Sequence, residues 1–151
     1  MGVLILILTG TIGGYSAAIK LSRKLRFLEG YAQFIKVCQN EIRYTGRYLS
    51  DIIKNYNAEG IFSLYLDKCC NYISFGEPFP KSWEKAFSSI PCELSVSPQL
   101  TEIIINFGLG LGVNDVEGQM SHCQYNYELV QPYIQTVREE KNTKGKLYSI
   151  L

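Results

Sequence analysis

Apolar side chains recur every three or four positions along most of this chain, and that recurrence predicts helices rather than strands. From Lys20 to about Asn55 one stripe holds Leu25, Leu28, Ala32, Ile35, Ile42 and Leu49. A second stripe holds Phe27, Tyr31, Phe34, Cys38, Tyr48 and Ile52. Two stripes on one helix require neighbours on more than one side. A break is expected at Thr45-Gly46, since Gly costs about 1 kcal/mol relative to Ala in a helix interior. After the loop "NYNAEG", a second segment is defined by Ile61, Tyr65, Cys69 and Ile73, with Phe62, Leu66 and Tyr72. "FGEPFPK" is the next connection, and Ser82 is placed to cap a short helix carrying Trp83, Phe87 and Ile90.

"SVSPQL" has the form of a helix start. Ser97 caps, and Pro98 takes the first helical position, where its missing N–H costs nothing. This helix continues through Leu100, Ile103, Ile104 and Phe107 towards Leu111. A long final helix begins at Asn114 or Asp115, with a seam of Met120, Cys123, Tyr127, Val130, Ile134 and Val137 at alternating spacings of three and four. Pro132 falls inside that seam and predicts a kink. No alternating run is long enough for a sheet. The expected fold is all-α, a bundle of about six helices.

The start of the chain is patterned differently. "MGVLILILTGTIGGYSAAI" has no charged side chain until Lys20. As a helix, residues 1–19 would span ~28 Å, close to the ~30 Å hydrocarbon core of a bilayer. Lys20, Arg23, Lys24 and Arg26 crowd just after the run, with no Lys or Arg before it. A cleaved signal peptide normally carries its basic residues first. By the positive-inside rule the N-terminus faces out, and residues 20–151 form a cytoplasmic bundle domain. A buried core helix and a cleaved signal are the competing readings. Gly10 and Gly14 form a GxxxG, extended by Ala18, and such a stripe permits close packing of membrane helices.

Composition narrows the function. A length of 151 residues with 46% hydrophobic content fits one compact domain with a real core. A net charge of +1 leaves no electrostatic footprint for nucleic acid. Five cysteines without metal-type spacing read as reduced, buried thiols in a cytosolic compartment. A zinc site from Cys69, Cys70 and His122-Cys123 competes with that reading but has no common zinc spacing. The lone histidine, His122, sits beside the apolar seam, and Glu41 and Glu139-Glu140 have no sequence reason to converge. No catalytic constellation, cofactor or small-molecule substrate is implied.

"NFGLGLGVNDVEGQ", residues 106–119, carries alternate glycines at Gly108, Gly110 and Gly112. A phosphate-cradling loop follows a strand and opens a helix. Here the glycines close a helix, and no Lys-Ser or Lys-Thr follows. Gly112 suits a left-handed C′ position, with Val113 folding back onto Phe107. Asn114 with Glu117 has the form of a capping box. Gly108 would let a neighbouring helix approach closely. A tight helix-to-helix corner accounts for the stretch better than a nucleotide site does.

At this corner Phe107-Gly108, Leu111-Gly112, Asp115 and Gln119 stand in the pattern F-G-x-x-L-G-x-x-D-x-x-x-Q. Upstream are Glu41-Ile42-x-Tyr44 at the end of the first long helix and Trp83 near an Ala-Phe. Together with the N-terminal span and its basic flank, these residues resemble the stage III sporulation protein AB family of endospore-forming bacteria. The resemblance implies a membrane-anchored helical domain similar to the platform protein of type II secretion and type IV pilus machines. It further implies a place in the channel complex linking mother cell and forespore, with other complex subunits and a cytoplasmic secretion-type ATPase as partners. The family also ends in a second membrane helix, expected beyond Leu151. A membrane-anchored enzyme or nucleotide-dependent regulator is the alternative from another functional class.

Overall fold

The computed structural model describes residues 2–45, 49–56, 59–111 and 115–150, with side chains described for 16–43, 51–56, 59–111 and 115–144. Among these residues the chain is entirely helical: α1 (Gly2–Thr45), α2 (Leu49–Asn55), α3 (Ile61–Ser74), α4 (Phe79–Phe87), α5 (Ile90–Leu94), α6 (Pro98–Gly110) and α7 (Val116–Ile150). The all-α expectation holds. The boundary expected between residues 19 and 20 falls inside α1, whose helical backbone runs unbroken across it. Among the described residues no helix is long and apolar enough to cross a membrane. Most of the uncharged stretch 1–19, including Gly10 and Gly14, lies outside the residues whose side chains are described.

Both stripes of α1 are buried along their described length, and they meet different neighbours. Phe27, Tyr31 and Phe34 face a cluster of rings from α3, α4 and α6. Phe27 meets Tyr65 edge-on at 5.3 Å, Tyr31 meets Phe107 at 5.7 Å, and Trp83 lies 4.4 Å from Phe87. Such pairs contribute about 0.5–1.5 kcal/mol each beyond the area they bury. Leu25, Leu28, Ala32 and Ile35, equally buried, form the stripe left for α7, the principal neighbour of α1. From α7 the seam returns Cys123, Val130, Ile134 and Val137 as buried residues, with Met120 and Tyr127 half-buried.

α1 and α7 are antiparallel, and polar contacts along their edge fix the register. Arg138 Nη2 lies 3.0 Å from Glu29 Oε1, and Lys36 Nζ donates to Gln124 Oε1 at 3.3 Å. The Lys36 ammonium also sits 4.1 Å from the centre of the Tyr127 ring. An exposed ion pair contributes only about 0–1 kcal/mol, so these contacts set alignment while the apolar seam supplies the stability.

Local starts and stops follow the sequence with two corrections. Ser97 caps α6 as expected, accepting from Leu100 N at 3.2 Å, and Pro98 opens the helix. Ser82 does not cap α4. That helix begins earlier, at Phe79, because Pro80 sits in the first turn where no N–H is needed. The Ser82 hydroxyl is buried and donates to Pro78 O at 3.0 Å. Ile90 likewise leaves α4 and opens the separate short helix α5, followed by Ser95 in the left-handed region at φ 56°. α7 continues through Pro132, which lies on its exposed side.

Three of the five thiols lie in this core; contrary to expectation Cys70 is only half-buried and Cys92, in the short helix α5, is exposed. Burial pushes Cys38 up, and takes Cys69 to about 12 and Cys123 to about 11 from an ordinary 9.0. The unfolded chain therefore releases these protons at lower pH than the folded one, so their contribution is intact below pH 9.0 and is lost as pH rises. Denaturant midpoints should fall from pH 9.0 through about 11, and Cys123→Ala should flatten the fall. An unchanged alkaline slope in that variant would contradict this origin.

Candidate functional site: the corner between α6 and α7

The last turn of α6 is built around what two glycines leave out. Trp83 of α4 is fully buried, and its indole Nε1–H donates to the Ile104 carbonyl of α6 at 3.0 Å. A Cβ on Gly108 would run into that indole nitrogen and its ring neighbours. Gly108 therefore lets α4 seat its tryptophan directly on the α6 backbone, the close approach that its position suggested. Gly110 does the same for α7, since a Cβ there would lie 2.5 Å from His122 Cε1.

His122 occupies the space beside Gly110 and uses both ring nitrogens. Its Nε2 lies 2.9 Å from the Phe107 carbonyl, one of the last carbonyls of α6, which have few intrahelical partners. A carbonyl only accepts, so Nε2 carries the proton and Nδ1 presents its lone pair to Asn126 Nδ2 at 3.4 Å. The buried Asn126 amide also donates to His122 O at 2.9 Å. The imidazole lies flat on the Phe107 ring, 2° from parallel at 5.6 Å. This histidine fastens the end of α6 to α7. Spacing alone had offered only its place beside the seam, and the neighbouring Gly110 was the signal for the rest.

Asp115 opens α7. Its Oδ1 accepts from Gly118 N at 2.8 Å, and its carbonyl accepts from Gln119 N at 2.9 Å. With Asp115 as the cap, the residue three places on is Gly118, so the first turn has no capping box. Gly112, Val113 and Asn114, with the expected left-handed residue and hydrophobic fold-back, lie outside the described residues. Leu111 is buried and follows α6 in extended conformation, at φ −75° and ψ 136°.

The sequence pattern thus gathers at one end of the bundle. Phe107, Gly108 and Leu111 lie in its wall, Asp115 is exposed at its rim, and Gln119 is half-buried one turn further on. The α1–α7 register brings half-buried Glu41 to the same end, near the start of α7. The Tyr44 side chain lies outside the described set, and Ala18, far along α1, is half-buried. Among the described residues no group of three His, Cys, Asp or Glu side chains is placed to hold a metal ion.

Fold and corner together define an all-α helical domain whose distinctive residues make packing and capping contacts. The chain belongs to the stage III sporulation protein AB family, whose model matches residues 1–151. Membership gives it a role in stage III of sporulation and points to other sporulation proteins as its partners. No curated relative and no solved structure matches the chain.

Gly108→Ala should destabilise the fold by about 1–3 kcal/mol, the usual cost of overpacking, because the buried indole has no room to withdraw. Asp115→Ala should cost about 0.5–2 kcal/mol as a lost cap, and Asp115→Asn far less. Urea denaturation ranks the three variants. A Gly108→Ala protein as stable as wild type would rule out the tryptophan seat as a constraint.

Proposed function

We propose that this protein is a membrane-anchored platform subunit of the sporulation channel complex between mother cell and forespore, acting by contact and docking the complex's secretion-type ATPase. The observation that carries this reading is the exposed first turn of α7. Asp115, Val116 and Glu117 all stand in solvent there, and Val116 is 48% exposed. An apolar side chain flanked by two carboxylates suits a partner surface that is basic around an apolar centre. The turn is capped by Asp115, and the helix behind it is held by His122 and Phe107, so the surface is ordered before the partner arrives.

Anchoring rests on residues 1–19. They are uncharged, they belong to a helix whose backbone runs unbroken into the bundle, and Lys20, Arg23, Lys24 and Arg26 follow them. That arrangement favours a cytoplasmic bundle, and the family's sporulation role is what points to the mother-cell side. The domain carries out no chemical step in this scheme. Force or order passes through it from the ATPase to the rest of the complex.

Two measurements test the reading. Asp115→Asn keeps the cap and deletes a charge, so it should slow association with the ATPase and flatten its salt dependence while leaving thermal stability near wild type. Gln119→Ala, measured beside it, reports how far the contact extends along α7. A folded Asp115→Asn protein that binds like wild type removes this end from the interface, and a wild-type protein that binds no ATPase removes the partner. For topology, Lys81→Cys in a Cys92→Ser background should stay unmodified by an impermeant thiol reagent on intact cells. Efficient labelling there would overturn the orientation.

A further inference from the structure

The opposite end of the α1–α7 pair carries a charge pattern visible only once the two helices are aligned. Arg138 meets Glu29 and Glu140 shares a cleft with Lys24, so Lys141 and Lys144, which follow on α7, run back along the stretch of α1 from Arg26 to Lys20. The cations of α7 therefore stand beside the basic flank of α1, though the two groups are more than a hundred residues apart in sequence. Lys20, Arg23, Arg26, Lys141 and Lys144 are exposed, and Lys24 is half-buried.

The carboxylates nearby do not cancel this charge. Glu29 is taken by Arg138, Glu139 accepts from Gln135 Nε2 at 3.1 Å, and Glu140 shares an open cleft of about 350 Å³ with Lys24. Arg26 also shares a cleft with Glu59, and Arg23 lies within electrostatic range of Tyr65, whose hydroxyl donates to Glu93, itself paired with Lys68. Six cations thus outnumber four further carboxylates at one end of a chain whose net charge is only +1. The collar adjoins the uncharged stretch on the same helix. Arg26 lies ~10 Å along the axis from Ile19, about one Debye length at physiological salt.

We propose that this two-helix collar binds the anionic headgroups of the bilayer, with Lys141 and Lys144 completing a surface that α1 begins. The proposal rests on the reading of residues 1–19 as the membrane segment, and it adds a preference for lipid charge. The cations surround the end of the bundle where that segment enters, as a headgroup layer requires. A partner lying along one side would be met by a stripe instead. Once on the bilayer, the collar fixes the bundle's height and rotation, because α7 contacts the surface as well as α1. Cations near such a surface each strengthen binding about fivefold.

The test uses the full chain and vesicle flotation, with phosphatidylcholine alone or mixed with phosphatidylglycerol. The quantity read is the gain in partitioning caused by phosphatidylglycerol. Lys141→Gln/Lys144→Gln should lower that gain by about fivefold per charge removed and leave binding to phosphatidylcholine unchanged. Lys54→Gln/Lys81→Gln, which removes two exposed cations elsewhere, should leave the gain intact. The proposal is overturned if the Lys141/Lys144 variant keeps the wild-type gain, or if the control pair loses as much. Inorganic phosphate that abolishes the gain more strongly than chloride of matched ionic strength would mean a discrete anion site and overturn it too. Loss of wild-type binding to phosphatidylcholine alone would instead strike at the membrane segment, so the two failures are distinct.

Discussion

The hydrogen bond from the Trp83 indole to the Ile104 carbonyl is the constraint around which the bundle is arranged. It is possible only because Gly108 has no side chain, and it brings α4 against the backbone of α6. Trp83 lies within 6.2 Å, ring centre to ring centre, of Phe34, Phe79, Phe87 and Phe107. The indole N–H would carry a desolvation penalty if left unmatched in that apolar setting. Its one polar partner therefore decides where α4 sits, and the rings of α1 and α3 close around the result.

The same economy of space operates one turn later, where Gly110 admits His122. An imidazole stacked on Phe107 and bonded to the Phe107 carbonyl makes the end of α6 a fixed point for the start of α7. The residues that looked most like chemistry include Gly108, Gly110 and the single histidine, and these three are occupied in joining helices. A contact surface built on that joint inherits its rigidity. That is why the exposed turn from Asp115 to Glu117 is a better candidate for recognition than a mobile loop would be.

Much of this architecture was legible in the sequence. Helical periodicity named both α1 stripes and the α7 seam, because residues at three and four spacings must share a face. Ser97-Pro98 marked a helix start that local hydrogen bonding decides. Legibility failed where a start depended on what proline does not require: Ser82 looked like a cap, yet Pro80 lets the helix begin at Phe79. It failed again where partners lie far apart in sequence. Nothing local links Trp83 to Gly108, His122 to Gly110, or Arg138 to Glu29. At the corner itself Asp115 caps α7, while Asn114 of the expected capping box lies outside the described residues.

One feature of α1 bears on how such a subunit could transmit motion. Its 44 residues form a single helix about 66 Å long, and the bundle is clamped to its second half by α7 on one side and the aromatic cluster on the other. A stiff rod held at one end is a lever. The unclamped half extends about 30 Å, so a tilt of the bundle by about 10° would swing the far tip by about 5 Å. Conversely, a push on the bundle would reach the first residues as rotation of the whole rod, with no hinge between to absorb it.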